Sequence, residues 1–198
     1  MTPSPDPTTV KVGVLLARRP AELGEWLADA TAFEAAGAHA LWVDPEPESE
    51  LDPLALLAAL AALTSRALLV ATPPASGYAS EALGPTLATI GRLSHGRLAL
   101  AAEPGRLEEL TALAPGSAAF RRLPGEPVAF ERLDETDTGE RWVQTPPPEG
   151  RAAWRTALAA AATNGAGGLL VPAGPRLLDI LRNPNDPDER RDLQLAQG

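Results

Sequence analysis

Apolar positions fall along the chain in two alternating rhythms, short uninterrupted runs and longer stripes. The run VKVGVLLA (10–17) is short, apolar and β-branched, which predicts a buried strand. PAELGEWLADATAFEAAG follows, with Leu23, Trp26, Leu27, Ala30 and Phe33 recurring at helical spacing. Pro20 suits the first helical turn there, and Gly37 suits the end. The couple then repeats. HALWVD (39–44) predicts a second strand, and Asp52-Pro53 a cap and first residue for a helix over LALLAALAALT. Leu56, Leu57, Leu60 and Leu63 form its inward stripe. ALLVAT (67–72) predicts a third strand, followed by a helix around 80–93 whose start Gly84-Pro85 can delay. RLALAA (97–102) predicts a fourth strand and RLEELTAL (106–113) a short helix. Four strand–helix units with continuously apolar strands predict an α/β fold whose parallel sheet is covered by helices.

The rhythm breaks at residue 114. APGSAAFRRLPGEP (114–127) reads as loop, while VAFERL and RWVQT flank DETDTGE as the two strands of an antiparallel hairpin. RAAWRTALAAAATNGAG then predicts a helix with Trp154, Ala157, Leu158 and Ala161 on one stripe. GLLVPA predicts a strand, and GPRLLDILRN a helix begun by Pro175. The end, PNDPDERRDLQLAQG, is charged and broken by prolines, and is either loose or docked on a partner. The expectation is one domain over 1–198, with tails at 1–9 and 184–198, built from five parallel strands and one hairpin.

Composition narrows the function classes. A chain of 198 residues can bury a real core, and 44% hydrophobic with 4% aromatic residues predicts packing by small side chains. With 26 acidic against 17 basic residues the net charge of −9 opposes binding to nucleic acid or anionic membranes. The absence of cysteine excludes a disulfide framework, a thiolate metal site and a cysteine nucleophile. MTPSPDPTTVKVGVLL has no basic segment ahead of its short apolar run, as a signal peptide would, and no run reaches membrane-spanning length. A cytoplasmic protein is the expectation.

FEAAGAHALWVDP, DPLALLAALAALTSR and LATIGRLSHGRLALAAEPG together resemble the first four βα units of the bacterial-luciferase-like family, over residues 10–105. GAGGLLVPAGPRLLDIL is similar to a late unit, and 114–150 has no counterpart. Members of that family are flavin- or deazaflavin-dependent oxidoreductases and monooxygenases on a TIM barrel. The resemblance therefore implies a TIM-barrel-like fold and FMN or a deazaflavin as cofactor. A full barrel of eight units takes about 250 residues, so this chain implies an incomplete one, short of at least two units. The family also includes a short non-catalytic flavoprotein with a shortened barrel. Two departures stand out: Asp44-Pro45 where members carry Asp-His, and Ala101-Ala102-Glu103-Pro104-Gly105 where members carry several glycines.

Chemistry in such barrels lies where strands end, while the turns that lead into strands serve stability. His39 and His95 each precede a strand, so both are expected at the non-catalytic floor as structural residues. On the catalytic face the resemblance puts Ala71 and Thr72 beside a flavin ring and Gly105 beside the cofactor. TPPASGY adds Ser76 and Tyr78, or is a plain loop. Arg18 and Arg19 either grip a phosphate or carboxylate or form a solvated pair. Asp44, Glu46, Glu48, Glu50 and Asp52 have the chemistry for a hard cation but lack the glycine-turn spacing of a calcium loop, and read as a solvated acidic loop. Gly174 and Arg176, flanking Pro175, would offer backbone N–H groups and a guanidinium to an anion, or begin an ordinary helix. GAGGLL precedes a strand and is no dinucleotide fingerprint; a nucleophile elbow, Walker loop and histidine-rich metal motif are absent. No metal ligand or catalytic residue is assigned. Three functions fit: a flavin or deazaflavin oxidoreductase; a catalytically silent remnant whose open strand edges are covered by a homodimer or partner; or a flavin-sequestering protein.

Overall fold

The structure, a computed structural model, describes residues 10–17, 22–43, 49–73, 80–133 and 139–186. Four strand–helix couples come first: β1 Lys11–Leu16, α1 Leu23–Ala35, β2 Ala40–Val43, α2 Pro53–Leu63, β3 Leu68–Ala71, α3 Ser80–Leu93, β4 Leu98–Ala102 and α4 Pro104–Leu113. Three strands follow in succession, β5 Ala118–Leu123, β6 Ala129–Leu133 and β7 Glu140–Gln144. The described chain ends with α5 Arg151–Thr163, β8 Gly168–Pro172 and α6 Pro175–Arg182. Local chemistry explains the starts of α2, α4 and α6, each with a proline in its first turn. Asp52 caps α2, its carboxylate accepting from the Leu54 and Ala55 amides at 2.8 and 2.9 Å. Helix α3 runs through Pro85 rather than starting there. Its buried stripe of Leu83, Leu87 and Ile90 holds it on the sheet and outweighs the one backbone bond that proline forgoes.

The eight strands close into a barrel in chain order. Strands β1 to β5 are parallel neighbours, β7 pairs parallel with β8, and β8 closes parallel on β1, with Lys11 opposite Gly168 and Leu15 opposite Pro172. Only β6 runs against the rest, antiparallel to both β5 and β7. The α/β, TIM-barrel-like class expected from the sequence therefore holds, and the β6–β7 hairpin is present. Two details differ. Residues 118–123, read as loop, form β5, and the strand ring is complete, so it has no open edge to cover. What the barrel lacks is helices: among the described residues none follows β5 or β6. That is where the chain is short of βα units.

The core has two layers. Between strands and helices lie Val12, Val14, Phe33, Leu57, Leu60, Leu69, Leu98 and Leu100, among others. The stripes overshoot this layer at their ends, since Leu23 is 44% and Leu63 52% exposed. The second layer is the lumen.

Candidate functional site: the barrel lumen and its two rims

Side chains alternate across each strand, so one set faces the helices and the other the barrel axis. The inward set includes Ala40 and Trp42 from β2, Val70 from β3, Ala99 and Ala101 from β4, and Leu170 from β8, with Phe120, Phe130 and Trp142 from the consecutive strands. Four aromatic rings from four strands meet there. Trp42 sits 5.0 Å from Phe120, 4.8 Å from Phe130 and 6.4 Å from Trp142 between ring centroids, and Phe120 meets Trp142 edge-on at 5.8 Å. Small residues make the room. A Cβ on Gly13 would lie 2.8 Å from the Trp142 ring, and one on Gly168 would lie closer still. Among the described residues the Trp42 and Trp142 indole N–H groups find no hydrogen-bond acceptor, at about 1–3 kcal/mol each. Packing holds this layer against that penalty.

The lower end of the lumen, where the parallel strands begin, is ionic. Glu140 pairs with Lys11 at 2.8 Å and with Arg132 at 3.7 Å. His39 stands beside them, its Nδ1 accepting from the Val12 amide at 3.2 Å while its own amide donates to the Val12 carbonyl at 2.7 Å. Its ring nitrogen is thus committed to the backbone. Burial pushes the His39 imidazole below its ordinary value, Lys11 pushes it the same way, and Glu140 opposes them. At the upper rim Glu103 and Arg122 pair at 3.4 Å, both well exposed.

A second construction at the floor has no counterpart in the expectations. The turn from α2 to β3 is held from two sides. Glu34 of α1, 8% exposed, accepts from the Ser65, Arg66 and Ala67 amides at 3.0, 2.7 and 2.8 Å. Arg97, just before β4, donates to the Ala67 and Thr64 carbonyls at 2.8 Å each and to the Thr64 hydroxyl at 3.0 Å. Burial raises the Glu34 carboxyl, but the three amides and Arg97 outweigh it and hold the group below the ordinary carboxylate value. Most partners of Glu34 and Arg97 are main-chain atoms, so no side-chain motif announces the pair.

Among the described residues, the expected Ala71, Thr72, Gly105, Gly174 and Arg176 lie at the upper rim, after or at the ends of β3, β4 and β8. Ala71 ends β3 with its methyl in the outer layer, facing the helices. Thr72, next in the alternation, is half-buried on the axis side. Gly105 lies in the first turn of α4, with open space around it. Gly174 is the N-cap of α6, and Arg176 is exposed one residue beyond Pro175. In the strand order β8 stands four strands from β4, so Gly174 and Arg176 face Gly105 across the mouth. The aromatic layer lies beneath them. Arg18, Arg19, Asp44, Glu46, Glu48, Ser76 and Tyr78 fall outside the described residues. Glu50 is exposed, and Asp52 is engaged in capping α2. Among the described residues no group of three His, Asp or Glu side chains could hold a metal. His39 and His95 both precede parallel strands, at the floor.

The lumen does not fit a flavin or deazaflavin ring. At the depth of Trp42 even one added methyl at Gly13 collides with Trp142, whereas a fused three-ring system needs a slot between side chains.

No protein-family description matches the chain, and no curated protein matches it. Solved structures do overlap. A ligand-free tryptophan synthase from M. tuberculosis covers 89% of this chain and 92% of its own, at 14% identity and a TM-score of 0.46. An open form of the same enzyme with BRD0059 bound covers 89% and 91%, again at 14% and 0.46. An F420-dependent secondary alcohol dehydrogenase in complex with an F420–acetone adduct covers 84% of this chain and 59% of its own, at 16% identity and 0.41. At such identities and scores these overlaps carry nothing about chemistry. The fold class rests on the strand order itself: an α/β barrel of eight strands. No helix among the described residues is long and apolar enough to cross a membrane.

Proposed function

We propose that the chain is a luciferase-like barrel without redox turnover, serving as a binding scaffold for a protein partner, a second copy of itself being the first candidate. The filled lumen carries this reading: Trp42, Phe120, Phe130 and Trp142 occupy the axis that a cofactor ring would enter. The outer sides of β5 and β6, which no helix follows among the described residues and where Arg121 and Leu133 are exposed, are the surface offered to the partner. The test is titration of the purified protein with FMN and with a deazaflavin, read by visible absorbance and tryptophan quenching, alongside light scattering for mass. The expected result is no saturable binding, no oxidation of reduced cofactor, and a dimer at micromolar concentration. Stoichiometric binding with turnover would overturn it.

One observation favours a second reading. Thr72, Gly105, Gly174 and Arg176 share the upper rim, so a flavin lying across the mouth, above the aromatic layer, would meet a hydroxyl and a cationic helix start. Retained ligand without turnover would then mark a sequestering protein, weakened by Arg176→Ala. Turnover would mark an oxidoreductase.

A further inference from the structure

Helix α2, Pro53–Leu63, lies on the outside of the barrel and yet carries no polar side chain along its 11 residues. Leu54, Leu56, Leu57 and Leu60 are buried, whereas Ala55, Ala62 and Leu63 are exposed. A helix that is apolar all round belongs inside a structure. Its surroundings extend the patch. Shallow grooves of about 190 and 330 Å³ run along its two sides. The groove against α1 is lined by Leu23, Leu27, Leu51, Ala55, Leu56 and Ala59, with Asp52 at its upper end. The groove against α3 shares Asp52 and Ala55 and adds Leu54, Ala58, Thr86, Thr89 and Ile90.

Charge is confined to the two ends of this face. Exposed Glu22, Glu50 and Asp52 stand at the upper end, where the helices start, and exposed Arg66 and Arg92 at the lower end, where they finish. Glu25 and Asp29 each lie two residues from Leu27, hence on the opposite side of α1 from its groove. Residues 18–21 and 44–48, outside the described residues, hold two arginines and three carboxylates.

We propose that a second copy of this chain docks on the face of α1, α2 and α3, about a twofold axis that crosses α2 at Ala59 and sets the two α2 helices antiparallel. Two independent features select that axis. Ala55 precedes Ala59 by four residues and Leu63 follows it by four, each about 6 Å along the helix. The axis therefore lays Leu63 of each copy over the α1-side groove at Ala55 of the other. It also brings the acidic upper end of each copy over the basic lower end of the other, where a parallel pairing would set like charges together. The area suffices. Helices of 13, 11 and 14 residues, about 20 Å long and about 9 Å apart, offer roughly 600 Å² per copy. The pair then buries about 1,200 Å², the lower end of the range for stable interfaces. In a chain of net charge −9, this uncharged middle is where two copies meet with least repulsion. The inference rests on the reading of the chain as a self-associating scaffold and gives the second copy this face, across the barrel from β6, which leaves β5 and β6 to other partners.

Sedimentation of the full-length protein over a range of concentrations reads the dimer. Ala59→Glu sets two carboxylates on the axis and should raise the dimer dissociation constant at least about a hundredfold, with the far-ultraviolet spectrum of the parent. Should that variant fail to fold, cysteine decides, since the chain has none. Ala59→Cys is expected to oxidise to a cross-linked dimer, and Ala159→Cys, exposed on α5, to give less than about a tenth as much. A mixture of Ala55→Cys and Leu63→Cys proteins should give the mixed cross-linked dimer in excess over either like pair. A parent dimer that survives Ala59→Glu, no cross-link in Ala59→Cys, or like pairs in excess in the mixture would each overturn the proposal and leave the scaffold reading standing. A parent that stays monomeric at every concentration would overturn both.

Discussion

His95 takes a φ of 53° directly after α3, and Gly96 follows at 81°. The Gly96 amide reaches back to the Gly91 carbonyl at 2.9 Å, and the His95 amide to Arg92 at 3.1 Å, which closes the helix in a left-handed turn before β4. The imidazole is exposed, and the backbone does the work. The left-handed conformation is costly for side-chain-bearing residues, most of all β-branched ones. His95→Gly should therefore leave stability within about 1 kcal/mol of the parent, while His95→Val should lose about 1–2 kcal/mol in urea unfolding. His39 differs, because its ring acts. The folded protein holds the imidazole neutral, its value below the ordinary 6.5. Between that lowered value and 6.5 the unfolded chain binds more protons, so stability rises with pH there. His39 should thus contribute fully above pH 6.5 and progressively less as pH falls through it. His39→Asn, which keeps an acceptor for Val12, should flatten the urea midpoint between pH 5 and 8. Sequence order alone placed both histidines at the floor, since each precedes a strand. The bond from the Val12 amide was not legible, because a backbone amide has no signature in side-chain pattern.

The clasp formed by Glu34 and Arg97 ties three elements together, α1, the α2–β3 turn and the start of β4. Glu34→Ala strands three amides and removes the negative charge that acts on Arg97, so it should lose about 2–4 kcal/mol at neutral pH. A carboxyl held below its ordinary value of 4.5 stabilises above that pH, and the contribution fades as acid titrates it. The gap between parent and Glu34→Gln in chemical unfolding should accordingly narrow below pH 4.5. Both partners lie inside the stretches that carry the family resemblance, FEAAGAHALWVDP and LATIGRLSHGRLALAAEPG. The first four couples were legible, being long apolar runs and well-marked stripes. Strand β5 was not. AAFRRL offers two bulky apolar residues, Phe120 and Leu123, and its arginines are satisfied by Glu131 on β6 and Glu103 just after β4, partners known only once the strands are paired.

For the whole molecule the lumen decides more than any rim residue. Trp42 comes from β2, far along the chain from the consecutive strands that carry Phe120, Phe130 and Trp142, so their convergence was invisible to local pattern, and Phe120 and Phe130 lie in the very segment without a family counterpart. The glycines that admit Trp142 make a sharp test. Gly13→Ala should overpack the axis and lose about 1–3 kcal/mol by thermal or urea unfolding, a penalty absent if the axis were open enough for a ligand. The expected rim residues were legible as a face, because strand ends define it, but not as a pocket.

Closure of β1 on β8 also dictates when this protein can exist. Lys11 emerges from the ribosome early and Gly168 late, so the first strand waits for nearly the entire polypeptide before its last neighbour is made. Folding is then governed by long-range contacts, the slow regime for small proteins. Any nascent or prematurely terminated product ending before Gly168 presents two unmatched strands to whatever lies nearby, the condition under which aggregation competes with folding.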